Sequence, residues 1–77
     1  MKLRIIAFAH AKSCLGFDSV EVECSSADTP RKLLKQWEDG FAKLPPTRIA
    51  IDEEFHDWDA PIGDAKELAI LPPVSGG

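Results

Sequence analysis

The chain has 77 residues, of which 44% are hydrophobic, and its 13 Asp and Glu residues against nine Lys and Arg residues give a formal net charge of −4. This length predicts a single small domain, which buries only about 60% of the surface of its unfolded chain. The acidic balance, without any basic run, disfavours nucleic acid and anionic membrane as partners and favours a protein with a basic docking surface.

The chain also carries no sign of export or membrane insertion. No apolar stretch approaches the roughly 20 residues of a membrane helix, and Met1–Arg4 lacks the apolar core of a signal peptide. We therefore expect a cytoplasmic protein. Cys14 and Cys24 do not have CxxC spacing, which favours buried or incidental thiols over a disulfide or redox pair.

Alternating hydrophobicity predicts two strands early in the chain. The first, Lys2–Ala9, has an inward face that is apolar throughout: Leu3, Ile5, Ala7 and Ala9. Ile6 and Phe8 fall on the face that should meet solvent, and exposed hydrophobic residues of this kind mark interfaces. The second strand, Asp18–Cys24, alternates apolar and polar residues, so the two should form a hairpin across a connection that turns at Gly16.

A helix is predicted to start at Thr29 and Pro30, with Thr29 as the N-cap and Pro30 in the first helical position. Its apolar stripe at helical spacing should lie across the sheet: Leu33, Leu34, Trp37 and Phe41. Gly40 is predicted to end this helix, since the Pro45–Pro46 pair that follows rules out its continuation.

Three more extended segments follow, at Thr47–Ile51, Phe55–Trp58 and Glu67–Leu71. The order of elements predicts an α+β fold of the β-grasp, or ubiquitin-like, type, with one main helix on one face of a mixed sheet. In that fold the first and last strands are parallel central neighbours. Phe8 and Leu71 would then lie side by side on the face opposite the helix.

The last six residues, 72–77, have the sequence Pro-Pro-Val-Ser-Gly-Gly. The prolines favour an extended stalk, and the glycines have no side chain to exclude them from a narrow slot. Such a segment can reach roughly 20 Å from its last anchored residue. We predict a domain over residues 1–71 and a flexible tail over 72–77 that presents the carboxylate of Gly77. A frayed, inert end is the alternative.

Several segments together resemble the small-subunit family of molybdopterin synthase, a group of ubiquitin-like sulfur carriers. They are Arg4–His10, Gly16, Ala50–Asp52, Asp59–Ile62 and Ile70–Gly77. The most specific segment is the Pro-Pro-Val-Ser-Gly-Gly end. Two segments depart from the family pattern. Asp52–Glu54 stands where such proteins often carry Asn and Gly in the turn, and Asp64–Lys66 stands where a Gly-Asp pair is usual before the last strand.

The resemblance implies a sulfur carrier that binds no cofactor itself. A ubiquitin-activating-type adenylyltransferase would use ATP to convert Gly77 to an acyl-adenylate, and a sulfur donor protein would displace AMP to leave a thiocarboxylate. The tail would enter the active site of a large subunit, and sulfur would pass to the pterin precursor of the molybdenum cofactor. Gly76 would form the reacting end of the tail together with Gly77, and the four residues before it would contact these partners: Pro72, Pro73, Val74 and Ser75.

Phe8 and Leu71, together with Phe55 by the resemblance, are predicted to form an apolar patch that binds both the large subunit and the activating enzyme. His10 and His56 lack partners at ligand spacing, so a catalytic or metal role is not expected for them. Three alternatives stay open at this point: a carrier for thiazole synthesis or tRNA thiolation, a ubiquitin-like protein modifier, and an interaction domain whose tail is inert.

Overall fold

The computed structural model describes residues 1–44 and 47–71, so Pro45, Pro46 and the predicted tail lie outside the described residues. The strands are β1 (Lys2–Ala7), β2 (Ser19–Glu23), β3 (Ile49–Ile51), β4 (Glu54–His56) and β5 (Glu67–Ile70). The helices are α1 (His10–Leu15), α2 (Pro30–Leu34) and α3 (Glu38–Lys43), and a 3₁₀ turn, Lys35–Trp37, joins the last two. In this described part of the chain no helix is long and apolar enough to cross a membrane.

The five strands form one mixed sheet in the order β2-β1-β5-β3-β4. β1 and β5 are parallel neighbours in its centre, with Ala7 opposite Ile70, and the other three pairs are antiparallel. This topology confirms the predicted α+β fold of the β-grasp type. The predicted pairing of the first two strands is also confirmed, although their connection contains a helix, α1.

The helices and one face of the sheet enclose a single apolar core. Its largest members are nearly inaccessible to solvent: Leu3, Ile5, Leu34, Ile49, Leu68 and Ile70. Each such side chain stabilises the fold by about 1.5–3 kcal/mol relative to an exposed one. Trp37 and Phe41 pack against this core, in agreement with the apolar stripe predicted for the helix, and Trp58 packs against it from the loop after β4.

The helical segment starts as predicted, because the Thr29 hydroxyl accepts a hydrogen bond from the Lys32 N–H and Pro30 follows it. The predicted end at Gly40 is wrong, since α3 continues to Lys43. A Cβ atom at position 40 would lie 2.3 Å from the carbonyl oxygen of Cys14. Glycine is therefore required here for the close contact between α3 and α1, not for a turn.

The first strand ends two residues before the predicted Ala9. Ala9 is exposed and has a φ of 48°, which turns the chain out of the sheet and into α1. Gly16, with a φ of 85°, ends α1 in the left-handed conformation and supplies the turn predicted there. Strands β2, β3 and β5 are also shorter than the sequence pattern indicates, and β4 spans Glu54–His56 instead of Phe55–Trp58.

Candidate functional site

The sheet face opposite the helices carries a row of apolar residues from four neighbouring strands. The register places Ile6 opposite Ala69, Ala69 opposite Ala50, and Ala50 opposite Phe55. Side chains alternate between the two faces of a strand, so this row points away from the core. The two central residues of the row, Ala69 and Ala50, are small, so the surface has a depression between Ile6 and Phe55.

A groove of about 360 Å³ lies over these alanines. Its lining residues are Phe8, Ala50, Glu53, Phe55, Glu67, Ala69 and Leu71. Phe8 is 45% exposed and Phe55 is 70% exposed, which are large values for aromatic side chains. The structure therefore brings the three predicted patch residues, Phe8, Phe55 and Leu71, around one groove. That this groove binds a partner stays a prediction.

Backbone pairing positions the walls of the groove. The N–H of Phe8 donates to the carbonyl of Ile70 at 3.4 Å, and the N–H of Leu71 donates to the carbonyl of Arg48 at 2.9 Å. The guanidinium of Arg48 lies 5.2 Å from the centre of the Phe55 ring, a distance at which a cation and an aromatic face attract each other. Phe55 is thus oriented although it is largely exposed.

The turn between β3 and β4 and the start of β5 each bring one carboxylate to the same end of the groove, those of Glu53 and Glu67. Asp52 and Glu53 have φ angles of 48° and 73°, the left-handed pair that a two-residue hairpin requires. The Asp52 carboxylate accepts hydrogen bonds from the N–H groups of Lys66 and Glu67, which ties this turn to the start of β5. Within residues 1–44 and 47–71, neither Glu53 nor Glu67 forms a salt bridge.

Leu71 is the last described residue, and both of its backbone groups are bonded. Its N–H is bound to Arg48 as above, and its carbonyl accepts a hydrogen bond from the hydroxyl of Thr47. The indole N–H of Trp58 donates to the carbonyl of Thr47 at 3.0 Å. The predicted tail residues lie outside the described residues: Pro72, Pro73, Val74, Ser75, Gly76 and Gly77.

Side chains outside the groove make ordinary structural contacts. The Nε2 atom of His56 lies 3.0 Å from the carbonyl oxygen of Ala60. Arg31 pairs with Asp59 at 2.8 Å, and this hydrogen bond holds the pKa of Asp59 below its usual value. Burial raises the pKa of the Cys24 thiol. Among the described residues, no cluster of three or more His, Cys, Asp or Glu side chains could hold a metal ion.

Sequence reasoning found the walls of the groove but missed its floor and one of its supports. Ala50 and Ala69 alternate with buried Ile and Leu residues, and this period of two already placed them on the outer face. Their small size gave no hydrophobic signal. Thr47 gave none either, because its contact with Leu71 spans 24 positions of the chain.

Comparison with known proteins assigns the chain to a family. The ThiS family model matches residues 5–77. The molybdopterin synthase sulfur carrier subunit of Dictyostelium discoideum is 32% identical, over 99% of this chain and 96% of that protein. The protein of the same name from Arabidopsis thaliana is 30% identical, over 100% of this chain and 84% of that protein.

Solved structures share the fold. Small archaeal modifier protein 1 of Haloferax volcanii superposes with a TM-score of 0.71 at 18% identity, over 95% of this chain and 98% of that one. A complex of subunits 1 and 2 of molybdopterin-converting factor from Helicobacter pylori contains a chain with a TM-score of 0.64 at 21% identity, covering 100% of both chains. The chain described here belongs to the ThiS family, and over its full length it is similar to molybdopterin synthase sulfur carrier subunits.

Proposed function

We propose that this protein is the sulfur carrier subunit of a molybdopterin synthase, and that the carboxyl group of Gly77 is the point at which sulfur is loaded. The observation that carries the proposal is the position of the exposed groove. It lies beside Leu71, directly before the segment that ends in Gly76 and Gly77. A carrier of this kind needs a docking surface near the origin of its tail, because Gly77 is only the sixth residue after Leu71.

The similarity to proteins named molybdopterin synthase sulfur carrier subunit supports this proposal over the other sulfur carriers, and the family match continues through Gly77. The chemistry follows from the properties of a carboxylate. Its carbon is a poor electrophile until one oxygen becomes a good leaving group. An oxygen of Gly77 therefore attacks the α-phosphorus of ATP in the activating enzyme, and pyrophosphate leaves. The terminal sulfur of a persulfide on the donor protein then attacks the acyl carbon, and AMP leaves. A thiol next cleaves the S–S bond of the resulting acyl disulfide, which releases the thiocarboxylate of Gly77 and leaves the donor sulfur in a disulfide with that thiol.

Glycine at positions 76 and 77 suits both steps, because no side chain keeps the reacting carbon from the phosphate or from the pterin precursor. When the thiocarboxylate gives up its sulfur, water supplies the oxygen that restores the carboxylate. The chain contributes the reacting group and its delivery. The acid–base groups belong to the partners.

The groove suggests what a partner must offer. Its floor and walls are predominantly apolar, while Glu53 and Glu67 line one end. A large apolar side chain of the partner would fill the space over Ala50 and Ala69, and a Lys or Arg beside it would face the two carboxylates. The solved complex of the Helicobacter pylori subunits shows that a chain with this fold associates with a second subunit. We propose the corresponding large subunit as a partner here.

Intact mass spectrometry of the protein purified from its native cells tests the proposal. A sulfur carrier has a fraction of molecules in which one oxygen at Gly77 is replaced by sulfur, and this fraction disappears in cells without the activating enzyme. Deletion of Gly77, or substitution Gly76→Val, should abolish restoration of the molybdenum cofactor in cells that lack the native copy. Leu71 and the rest of the sheet are unchanged in both variants.

Other outcomes identify the alternatives. A set of conjugates to target lysines would indicate a protein modifier. A thiocarboxylate that accumulates, together with normal molybdenum cofactor in cells without this protein, would indicate a carrier for another acceptor. A carboxylate that no activating enzyme adenylates would contradict a carrier function altogether.

A further inference from the structure

The carbonyl of Leu71, the last residue that the structure describes, accepts a hydrogen bond from a side chain. Beyond β5 the ladder with β3 continues for one more residue, where the N–H of Leu71 donates to Arg48. The Leu71 carbonyl then accepts from the hydroxyl of Thr47. That hydroxyl also lies 3.5 Å from the carbonyl of Arg48, which is longer than a normal hydrogen bond between oxygens. Leu71 is therefore its principal acceptor.

Thr47 is itself held in place. Its carbonyl accepts a hydrogen bond from the indole N–H of Trp58 at 3.0 Å. The centres of the Trp58 and Phe41 rings lie 5.6 Å apart, and both rings pack against the core. A path of direct contacts thus connects the helix layer, through Trp58 and Thr47, to the carbonyl of Leu71. This path lies outside the groove, because neither Thr47 nor Trp58 lines it.

The Leu71 carbonyl matters because two prolines follow it in the sequence. Pro72 and Pro73 have no backbone N–H, so neither can donate a hydrogen bond to a neighbouring strand. The Leu71 carbonyl lies in the peptide plane that joins Leu71 to Pro72, so the bond from Thr47 fixes the orientation of the last described peptide group. The six residues that follow can span at most roughly 20 Å, so the direction set at this plane limits the positions that Gly77 can reach.

From this geometry we infer that Thr47 is a positioning residue for sulfur transfer: its hydroxyl fixes the Leu71 carbonyl and so directs Gly77 toward the active site of the bound large subunit. The inference rests on the proposed function. It separates two properties of the carrier. The groove determines how tightly the partner is bound, and Thr47 determines how often the bound carrier has its terminal group in the reactive position.

Single-turnover transfer from carrier with a thiocarboxylate at Gly77, in the presence of saturating large subunit and pterin precursor, tests this role. Thr47→Val keeps the shape of the side chain but removes the donor. We expect the rate constant to fall about fivefold, the usual value of one hydrogen bond, while Kd for the large subunit stays within about twofold. Thr47→Ser keeps the hydroxyl and should restore the rate.

Thr29→Val is the matched control. It removes the hydroxyl that caps α2, so it lowers stability, but Thr29 contacts neither β5 nor the groove in the described structure. If Thr29→Val slows transfer as much as Thr47→Val, or if Thr47→Val transfers at the wild-type rate, Thr47 has no positioning role. Absence of transfer from the wild-type thiocarboxylate contradicts the proposed function itself, and the two failures are thereby distinguished.

Discussion

Both faces of the sheet carry apolar residues, but those residues are buried on one face and partly open to solvent on the other. Ile70 and Leu71, which are adjacent in the chain, show this difference most clearly. Ile70 points to the helix side and is completely buried, whereas Leu71, next in the chain, lines the open groove and stays partly exposed. Burial of Ile70 stabilises the fold. Exposure of Leu71 leaves apolar surface available to a partner. Hydrophobicity alone thus does not separate a core residue from a docking residue; the face of the sheet does.

The largest expected effect is on the buried side. Ile70→Ala removes part of a fully buried side chain and leaves a cavity, so we expect the free energy of unfolding to fall by about 3 kcal/mol. Urea denaturation measures this change. Leu71→Ala is the matched variant on the opposite face and should cost less than about 1 kcal/mol. Equal losses of unfolding free energy in the two variants would contradict the difference between the two faces.

The corresponding test on the open side is Leu71→Asp. A charge in the apolar groove should weaken binding of the large subunit by about 2 kcal/mol or more, or roughly 30-fold in Kd, while the unfolding midpoint changes little. Isothermal titration calorimetry measures the affinity. Ala42→Asp, at an exposed position of α3 in the helix layer on the opposite face of the sheet, adds the same charge away from the groove and controls for charge alone. Unchanged affinity of Leu71→Asp would remove the groove from the interface.

Gly40→Ala tests the close packing of α3 against α1 in the helix layer. Helix propensity by itself predicts that alanine stabilises α3 by about 1 kcal/mol. The contact with the Cys14 carbonyl predicts the opposite sign, and we expect a net loss of about 1.5 kcal/mol because α1 and α3 must separate. Thermal unfolding decides the sign. Ala42→Gly, at an exposed position of the same helix, reports propensity alone.

The smallest expected effect is a gain. Glu53 has a φ of 73°, which glycine adopts without steric cost, so Glu53→Gly should raise the free energy of unfolding by about 1 kcal/mol. Glu54→Gly, in the adjacent strand, has no such benefit and should lower it. Denaturant titration of both variants tests this difference. A loss of stability in Glu53→Gly would mean that the turn needs contacts of the Glu53 side chain.

The sequence predicts the sheet well, because alternation in β1 and β5 reports directly which side chains face the core. For the same reason the sequence places Phe8 and Leu71 on the face opposite the helices. Gly40 was misjudged, since local rules assign a glycine near a helix end to a stop, and the contact that requires it comes from α1, 26 positions away in the chain. The floor of the groove and the role of Thr47 also depend on register between strands, which no local pattern contains.

The central position of β5 has a further consequence for the order of folding. β1 with β2 forms one half of the sheet, β3 with β4 forms the other, and among the strands of residues 1–44 and 47–71 only β5, Glu67–Ile70, joins them. A chain made from its N-terminal end therefore has two unconnected hairpins until its last strand has emerged, and long-range closure of this kind is slow. The groove beside Leu71 is therefore complete only after β5 has joined the sheet, so a chain without β5 offers a partner no groove.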